Sequence, residues 1–406
     1  MMLSEERKQK VVNLCQTLVR LKSYSGEENL VAKEIKSHAE QNGFDDVIVD
    51  ELGNVMLVMK GKNEGPTVLL DGHIDTVPVT EERWTVDPYS GEIKDGKIYG
   101  RGTSDMKGAV SAMIAAAVNF AEDTDKSFPG KVIVSCSVHE ECFEGVSTRR
   151  ISEIIHPDYV VIGEATHLKL NRGQRGRAEI VVETIGKPAH SSNPEKGNNA
   201  VYQMVKLIAK IRELPVAEDE TLGKGILELT DIKSSPYPGA SVVPSLCTAT
   251  FDRRLLVGET KESVLATIQQ LIDKLQSEDP SFKATVKYAY GEEHCYTGAL
   301  ISGERFFPGW LYEDEKDFVQ LPLKELSAIG LQTELSHYSF CTNGSHFAGE
   351  ANIPTIGFGP SLESQAHVDD EYIEIEQIVK ATEGYTGIMR ALTSIQSKKE
   401  ETIKNV

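Results

Sequence analysis

The chain has 406 residues, 40% hydrophobic and 26% charged, which is the composition of a folded globular protein rather than a disordered one. Its 43 lysines and arginines against 62 aspartates and glutamates leave a net charge of −19, which argues against nucleic acid or an anionic membrane surface as the main partner. At roughly 100–200 residues per domain, the length suits two domains or one domain carrying an insertion. No apolar run approaches the ~18 residues of a membrane span. The opening MMLSEERKQK has no apolar stretch behind its charges, so no secretory leader is expected. Cys15, Cys136, Cys142, Cys247, Cys295 and Cys341 form no C-x-x-C pair and are expected as reduced thiols of a cytoplasmic protein.

In chain order, Val11, Leu14, Cys15, Leu18 and Val19 fall on one helical stripe. Ser25 and Glu28 have the spacing of a capping box for a second helix that closes at Gly43. Strand-like runs follow at Val47–Val49, Val55–Met59 and Thr67–Leu70, then an Ala-rich helix from Lys107 to Glu122. Lys131–Val138 and Tyr159–Ile162 read as buried strands either side of a short helix, Thr148–Ile155. Alternating strands and helices predict an α/β sheet covered on both faces. Near Gly176 the pattern changes. Ala178–Glu183 alternates, Asn198–Leu214 is helical, Ile226–Thr230 and Leu246–Phe251 are strands, Glu262–Leu275 is a helix, and Phe282–Tyr290 is a last strand. That β-α-β-β-α-β order predicts an inserted α+β domain. The expected division is 1–176 and 293–406 for the main domain, with 177–292 inserted. A strand at Pro354–Gly357 and a helix from Glu374 to about Ser397 resume the first pattern, and the charged tail KKEETIKN is expected to fray.

Five segments collect chemistry. His73 ends the strand in LLDGHIDTVP, and Asp75, two residues on, can accept the other imidazole N–H; a structural histidine is the competing reading. Asp105 lies in the glycine-flanked loop GRGTSDMKG, either as a presented carboxylate or as a helix cap. Glu140 and Glu141 in VHEECFEG are adjacent acids at a strand end, where a cation or a shared proton relieves repulsion; a solvated acidic loop is the alternative, and Glu144 is assigned to it. Glu164 follows another buried strand, and His367 precedes the last helix, with Asp369, Asp370 and Glu371 expected to cap it. Two histidines and several carboxylates gathered at the strand ends and loops of one domain have the composition of a two-metal hydrolytic site.

With these motifs in hand, the chain resembles the zinc metallopeptidase and amidohydrolase family of acetylornithine deacetylase, succinyl-diaminopimelate desuccinylase, aminoacylase and carboxypeptidase G. LLDGHIDTVP, GRGTSDMKG, VHEE, GEAT, KPAHSS, VVP…ATFDRR and AHVDDEY occur in family order across almost the whole chain. The resemblance implies a zinc-exopeptidase-like α/β catalytic domain with an inserted lid used for dimerisation. It implies two divalent cations, zinc first with cobalt or manganese as alternatives: His73 and Glu164 on one, Glu141 and His367 on the other, Asp105 bridging both, and a cis peptide following Asp105. It also implies Asp75 as the orienting partner of His73, Glu140 as a general base outside the ligand set, and His190 as a lid histidine that reaches the substrate carbonyl, often from the partner subunit. Arg254 matches a residue that binds a substrate carboxylate, with one of Arg253 and Arg254 expected to face solvent.

Two departures stand out. Ser241 occupies a position where many relatives have Asn, and Thr342-Asn343-Gly344-Ser345-His346 replaces a common Gly-Gly-Thr-Asp, which places Gly344 and Ser345 among the candidate substrate contacts. The chain also resembles a branch linked to selenium-dependent metabolism. The expected activity is hydrolysis of an amide in a small N-acyl amino acid or related compound, with dipeptidase or aminopeptidase action on short peptides as the alternative. A non-catalytic binding protein on the same fold is the reading from another class.

Overall fold

The computed structural model describes residues 2–395. The expected fraying of KKEETIKN lies outside the described residues, while the last helix, expected to run to about Ser397, ends at Thr393.

The main sheet has nine strands. Those that matter to the site are β1 (Asp46–Val49), β2 (Val55–Lys60), β3 (Asn63–His73), β4 (Pro129–Ser137), β5 (Tyr159–Ile162) and β6 (Leu170–Gln174). At its centre β3 runs parallel to β4 on one side and to β5 on the other. Alternate residues feed two cores. Leu57, Val68, Leu70, Val134 and Val161 join α1 (Glu5–Val19), α2 (Asn29–Gln41), α3 (Gly108–Thr124) and α8 (Ile375–Thr393). Met56, Val58, Leu69, Ile133, Val160 and Ile162 join α4 (Thr148–Ile155) on the opposite face. Hydrophobic burial on both faces is why these strands read as unbroken apolar runs.

A second sheet holds β7 (Gly176–Ile185), β8 (Ile226–Ser235), β9 (Leu246–Leu255) and β10 (Ala284–Tyr288), in the order β8-β9-β7-β10. One face packs on α5 (Ala200–Ile211) and α6 (Lys261–Glu278) through Ile180, Val182, Ala249 and Phe251. The other face is open, hence the alternation along β7 and β9. Phe306–Phe307 also pairs with β7, so the chain returns to this sheet past the boundary expected at residue 292. Only Arg175 separates β6 from β7. At the crossing, a Cβ on Gly176 would lie 2.3 Å from both the Gly309 nitrogen and the Phe307 oxygen, so only glycine lets the two passes of chain lie together.

Several local expectations are corrected. Ser25 does not cap α2: its hydroxyl donates to Asp75 at 2.7 Å, and α2 starts at Asn29 with no side-chain cap bond. Glu28 is buried and accepts the Gly26 and His139 N–H groups. Asp369, Asp370 and Glu371 do not cap α8, whose N-cap is Glu374; their carboxylates turn back toward residues 83–105. A helix over Asp317–Ala328 (α7) packs on α8 and carries Pro322 in its interior. No helix among the described residues is long and apolar enough to cross a membrane. All six cysteines are free.

Candidate metal centre

The carboxyl ends of three adjacent parallel strands define the floor. β3 ends in His73, β5 runs through Gly163 into Glu164, and β4 runs through Val138 and His139 into Glu140 and Glu141. Open α/β sheets build their sites at such ends, where side chains converge without backbone partners in the way. Asp105 enters from the loop before α3 and His367 from the loop before α8. The peptide after Asp105 is cis, as the motif implies.

Asp105 faces both imidazoles, one with each oxygen. His73 Nε2 lies 2.9 Å from its Oδ1, and His367 Nε2 lies 3.1 Å from its Oδ2. His73 Nε2 is also 3.4 Å from Glu164, and His367 Nε2 is 2.9 Å from Glu141. Potential ligand atoms of His73, Asp105 and Glu141 lie within 4.8 Å of one another, as do those of His73, Glu140 and Glu164. The His73 Nδ1 atom points to the Asp75 carbonyl at 2.9 Å and to its carboxylate at 3.5 Å. That Asp75 carboxylate accepts the Glu140 and Glu141 N–H groups at 3.1 and 3.2 Å, so it orders the acidic loop as well as the imidazole.

This donor set fits divalent cations. Glu141 Oε1 is buried and has no hydrogen-bond partner, an arrangement that costs free energy unless an unseen partner takes it up. Burial, reinforced by Asp105, pushes the Glu141 carboxyl up to about 7. Burial and the charges of Glu164, Glu141 and Glu144 raise Glu140 well above the ordinary range. Burial alone would lower His73, but Glu164, Asp105 and Asp75 outweigh it and raise it. Imidazoles and carboxylates crowded in this way are zinc-type ligands, and a cation relieves the repulsion that protons otherwise relieve.

Asp105, Glu140, Glu141, Glu164 and His367 line a cavity of about 450 Å³. Its far wall comes from the smaller sheet and carries Arg177 and Arg254. Arg254 stands on the open face of β9, while Arg253 does not reach solvent: it is buried on the helix-covered face, paired with Glu259. Glu144, expected in a solvated loop, is 8% exposed and paired with Arg177 at 2.8 Å. Arg177 also reaches Asp252 at 3.0 Å, and sequence reading passed over it. Its signal was the alternation of β7, which puts the charged residues 177 and 179 on one open face.

The remaining candidates lie elsewhere. Gly344 and Ser345 do not line the cavity: both are buried, and the Ser345 hydroxyl donates to the Glu144 carbonyl from behind. Asn343, beside them, binds Asp71 and Ser137 and accepts the Gly145 N–H, which ties the acidic loop to the carboxyl end of β3. His346 is engaged by Ser152 and Glu350, away from the cavity. His190 is exposed in a turn, its Nδ1 bonded to Ser192, and is not part of this cavity's wall.

A strand-end cluster of this kind, on a sheet with a second sheet closing the cavity, belongs to the metal-dependent hydrolases. The chain is a member of peptidase family M20/M25/M40, whose profile matches residues 69–391. It is 33% identical over 378 residues to the uncharacterized protein YgeY of Escherichia coli (strain K12), covering 91% of each chain. It is 28% identical over 396 residues to succinyl-diaminopimelate desuccinylase 2 of Ruegeria sp. (strain TM1040), covering 93% of this chain and 94% of that one. The fold matches the YXEP protein of Bacillus subtilis, described as a dinuclear metal binding peptidase, with a TM-score of 0.71 at 13% identity over 96% of this chain and 98% of that one.

Proposed function

We propose that this chain uses two divalent cations, zinc first, to hydrolyse the amide bond of a small N-acyl amino acid or related compound. The observation that carries the reading is Asp105 offering one oxygen to each histidine, with Glu140 on the same cavity wall. His73 and Glu164 would hold one cation, Glu141 and His367 the other, with Asp105 shared. Bound there, the cations supply charge neutralisation and lower the pKa of an attacking water toward ~7. Glu140 takes the proton of that water and returns it to the leaving amine. Arg254 in the cavity wall pairs with a substrate carboxylate.

His190 completes the site from a second copy, where it donates a hydrogen bond to the developing oxyanion. Two features of the smaller sheet support pairing of copies. The β8 strand is a long edge with exposed Ile226 and Ile232, and α5 exposes Tyr202 at 74% and Val205 at 58%.

One observation favours peptides instead. Glu363, its carboxylate held by the Ser339 hydroxyl at 2.6 Å, lines the cavity and offers an anionic partner for a free α-amine. Turnover of N-acyl amino acids against dipeptides with free or blocked α-amines decides between the two. Preference for the acylated or blocked compounds supports deacylation, and a requirement for the free amine supports the dipeptidase. No turnover of any amide, with cations bound, leaves a binding protein.

A further inference from the structure

The segment that carries His367 continues through three acidic residues before α8; two of them bind residues 83–85, and the third, Glu371, reaches the loop that presents Asp105. Asp369 pairs with Arg83 at 2.9 Å, and Asp370 accepts the N–H and the hydroxyl of Thr85, both at 2.7 Å. Glu371 goes deepest and is fully buried. Its Oε1 accepts the N–H groups of Ser104 and Asp105 at 2.8 and 3.2 Å. Its Oε2 accepts the Gly102 N–H at 3.1 Å and the Arg101 guanidinium at 2.7 Å. Its carbonyl accepts the Gly100 N–H at 2.9 Å. Successive backbone N–H groups converging on one anion form a nest, and here the anion is the protein's own side chain. Arg101, stacked 5.3 Å over the Trp84 ring, supplies the balancing charge that a buried carboxylate requires.

The bonds fall on irregular backbone, whose other anchor nearby is the Ser104 hydroxyl, 2.6 Å from both Ser361 and the Tyr372 carbonyl. At Asp105 φ is −131° and ψ is 89°, outside the helical range, so no regular helical ladder fixes this peptide. The Asp105 N–H is fixed by Glu371 instead. Each oxygen of Asp105 serves a different histidine, so turning this residue disturbs both halves of the centre. The halves are not equally supported. His73 and Glu164 extend from sheet strands, whereas Glu141 and His367 stand on loops. His367 is only four residues before Glu371.

We infer that Glu371 is a positioning residue that sets the aim of Asp105 by holding the 102–105 backbone, and that it governs mainly the cation site of Glu141 and His367. This rests on the two-cation reading above. The test titrates chelator-treated protein with cobalt(II), following heat and visible absorption. Wild-type protein takes up two equivalents. Glu371→Gln, which keeps the shape but turns an amide toward N–H donors, binds the first with little change. It binds the second about 10–100-fold more weakly, with an altered absorption band. Two wild-type affinities and a wild-type spectrum in that variant overturn the inference and leave the two-cation reading intact. Equal weakening of both equivalents alongside a lowered melting temperature also overturns it, because that is general destabilisation. Fewer than two equivalents in the wild type removes the two-cation reading and this inference together. If the Gln variant does not fold, Glu371→Asp is read by the same titration: it keeps the charge but falls one methylene short of the nest. The same selective loss is then expected, and wild-type binding of both equivalents overturns the inference.

Discussion

In the proposed mechanism Glu140 and Glu141, neighbours in sequence, have different jobs. Glu141 faces His367, while Glu140 clusters with His73 and Glu164 closely enough to be a ligand by distance alone. The base assignment therefore rests on chemistry that a substitution can separate. Glu140→Gln is expected to retain both cations by metal analysis and to lose about 10²–10⁴-fold in kcat. Loss of a cation together with activity would make Glu140 a ligand. At this scale the sequence was most informative about residues whose chemistry is local to a motif, and His73, Asp105, Glu140, Glu141, Glu164 and His367 do come together. It misled where a local signature competed with a distant partner. Ser25 and Glu28 have the spacing of a cap, and Glu371 sits where a helix dipole attracts acid. Yet Ser25 bonds Asp75, and Glu371 bonds Arg101 at a separation of 270 residues. No periodicity carries that information.

At the scale of elements, the strand ends set the floor of the site and one ion pair ties it to the smaller sheet. Arg177 on β7 joins Glu144 of the acidic loop to Asp252 of β9. Arg177→Met leaves Glu144 nearly buried without its partner. The expected loss is on the order of 3 kcal/mol by chemical denaturation, largely recovered in the double variant with Glu144→Gln. An additive double variant would show that the pair is not coupled. The alternation of β7 and β9 made the half-open sheet legible in the sequence, and the apolar runs of β4 and β5 made the covered sheet legible. Helix α7 was not read, because Pro322 removes a backbone donor and weakens the helical signal that packing on α8 restores.

For the whole molecule, the centre couples cation binding to protons. Burial and the Asp105 charge hold the Glu141 proton up to about 7, against an ordinary glutamate value of 4.5. Glu140 and Glu164 are raised by burial in the same direction. Without cations, the stabilisation from these protonated acids is present at low pH and fades as pH rises through about 7. A cation replaces those protons, so its binding releases them and strengthens with pH. The increase in Tm on adding zinc to chelated protein is expected to be larger at about pH 7.5 than at about pH 5.5. An increase independent of pH would mean that the acids are not displaced. The proposed role of His190 between copies belongs to the same scale. Mixing inactive His190→Ala with inactive Glu140→Gln protein is expected to restore part of the activity, because some mixed dimers join an intact centre to an intact histidine. No recovery after verified subunit exchange rejects the arrangement between copies.

Two cations shared through Asp105 are proposed to make this chain an amide hydrolase. Turnover of an amide substrate by chelated protein, measured against added equivalents of zinc, tests it most directly. Negligible turnover is expected before zinc is added, followed by a rise that levels off at two equivalents. Full turnover in the chelated protein, or a plateau at one equivalent, would contradict it.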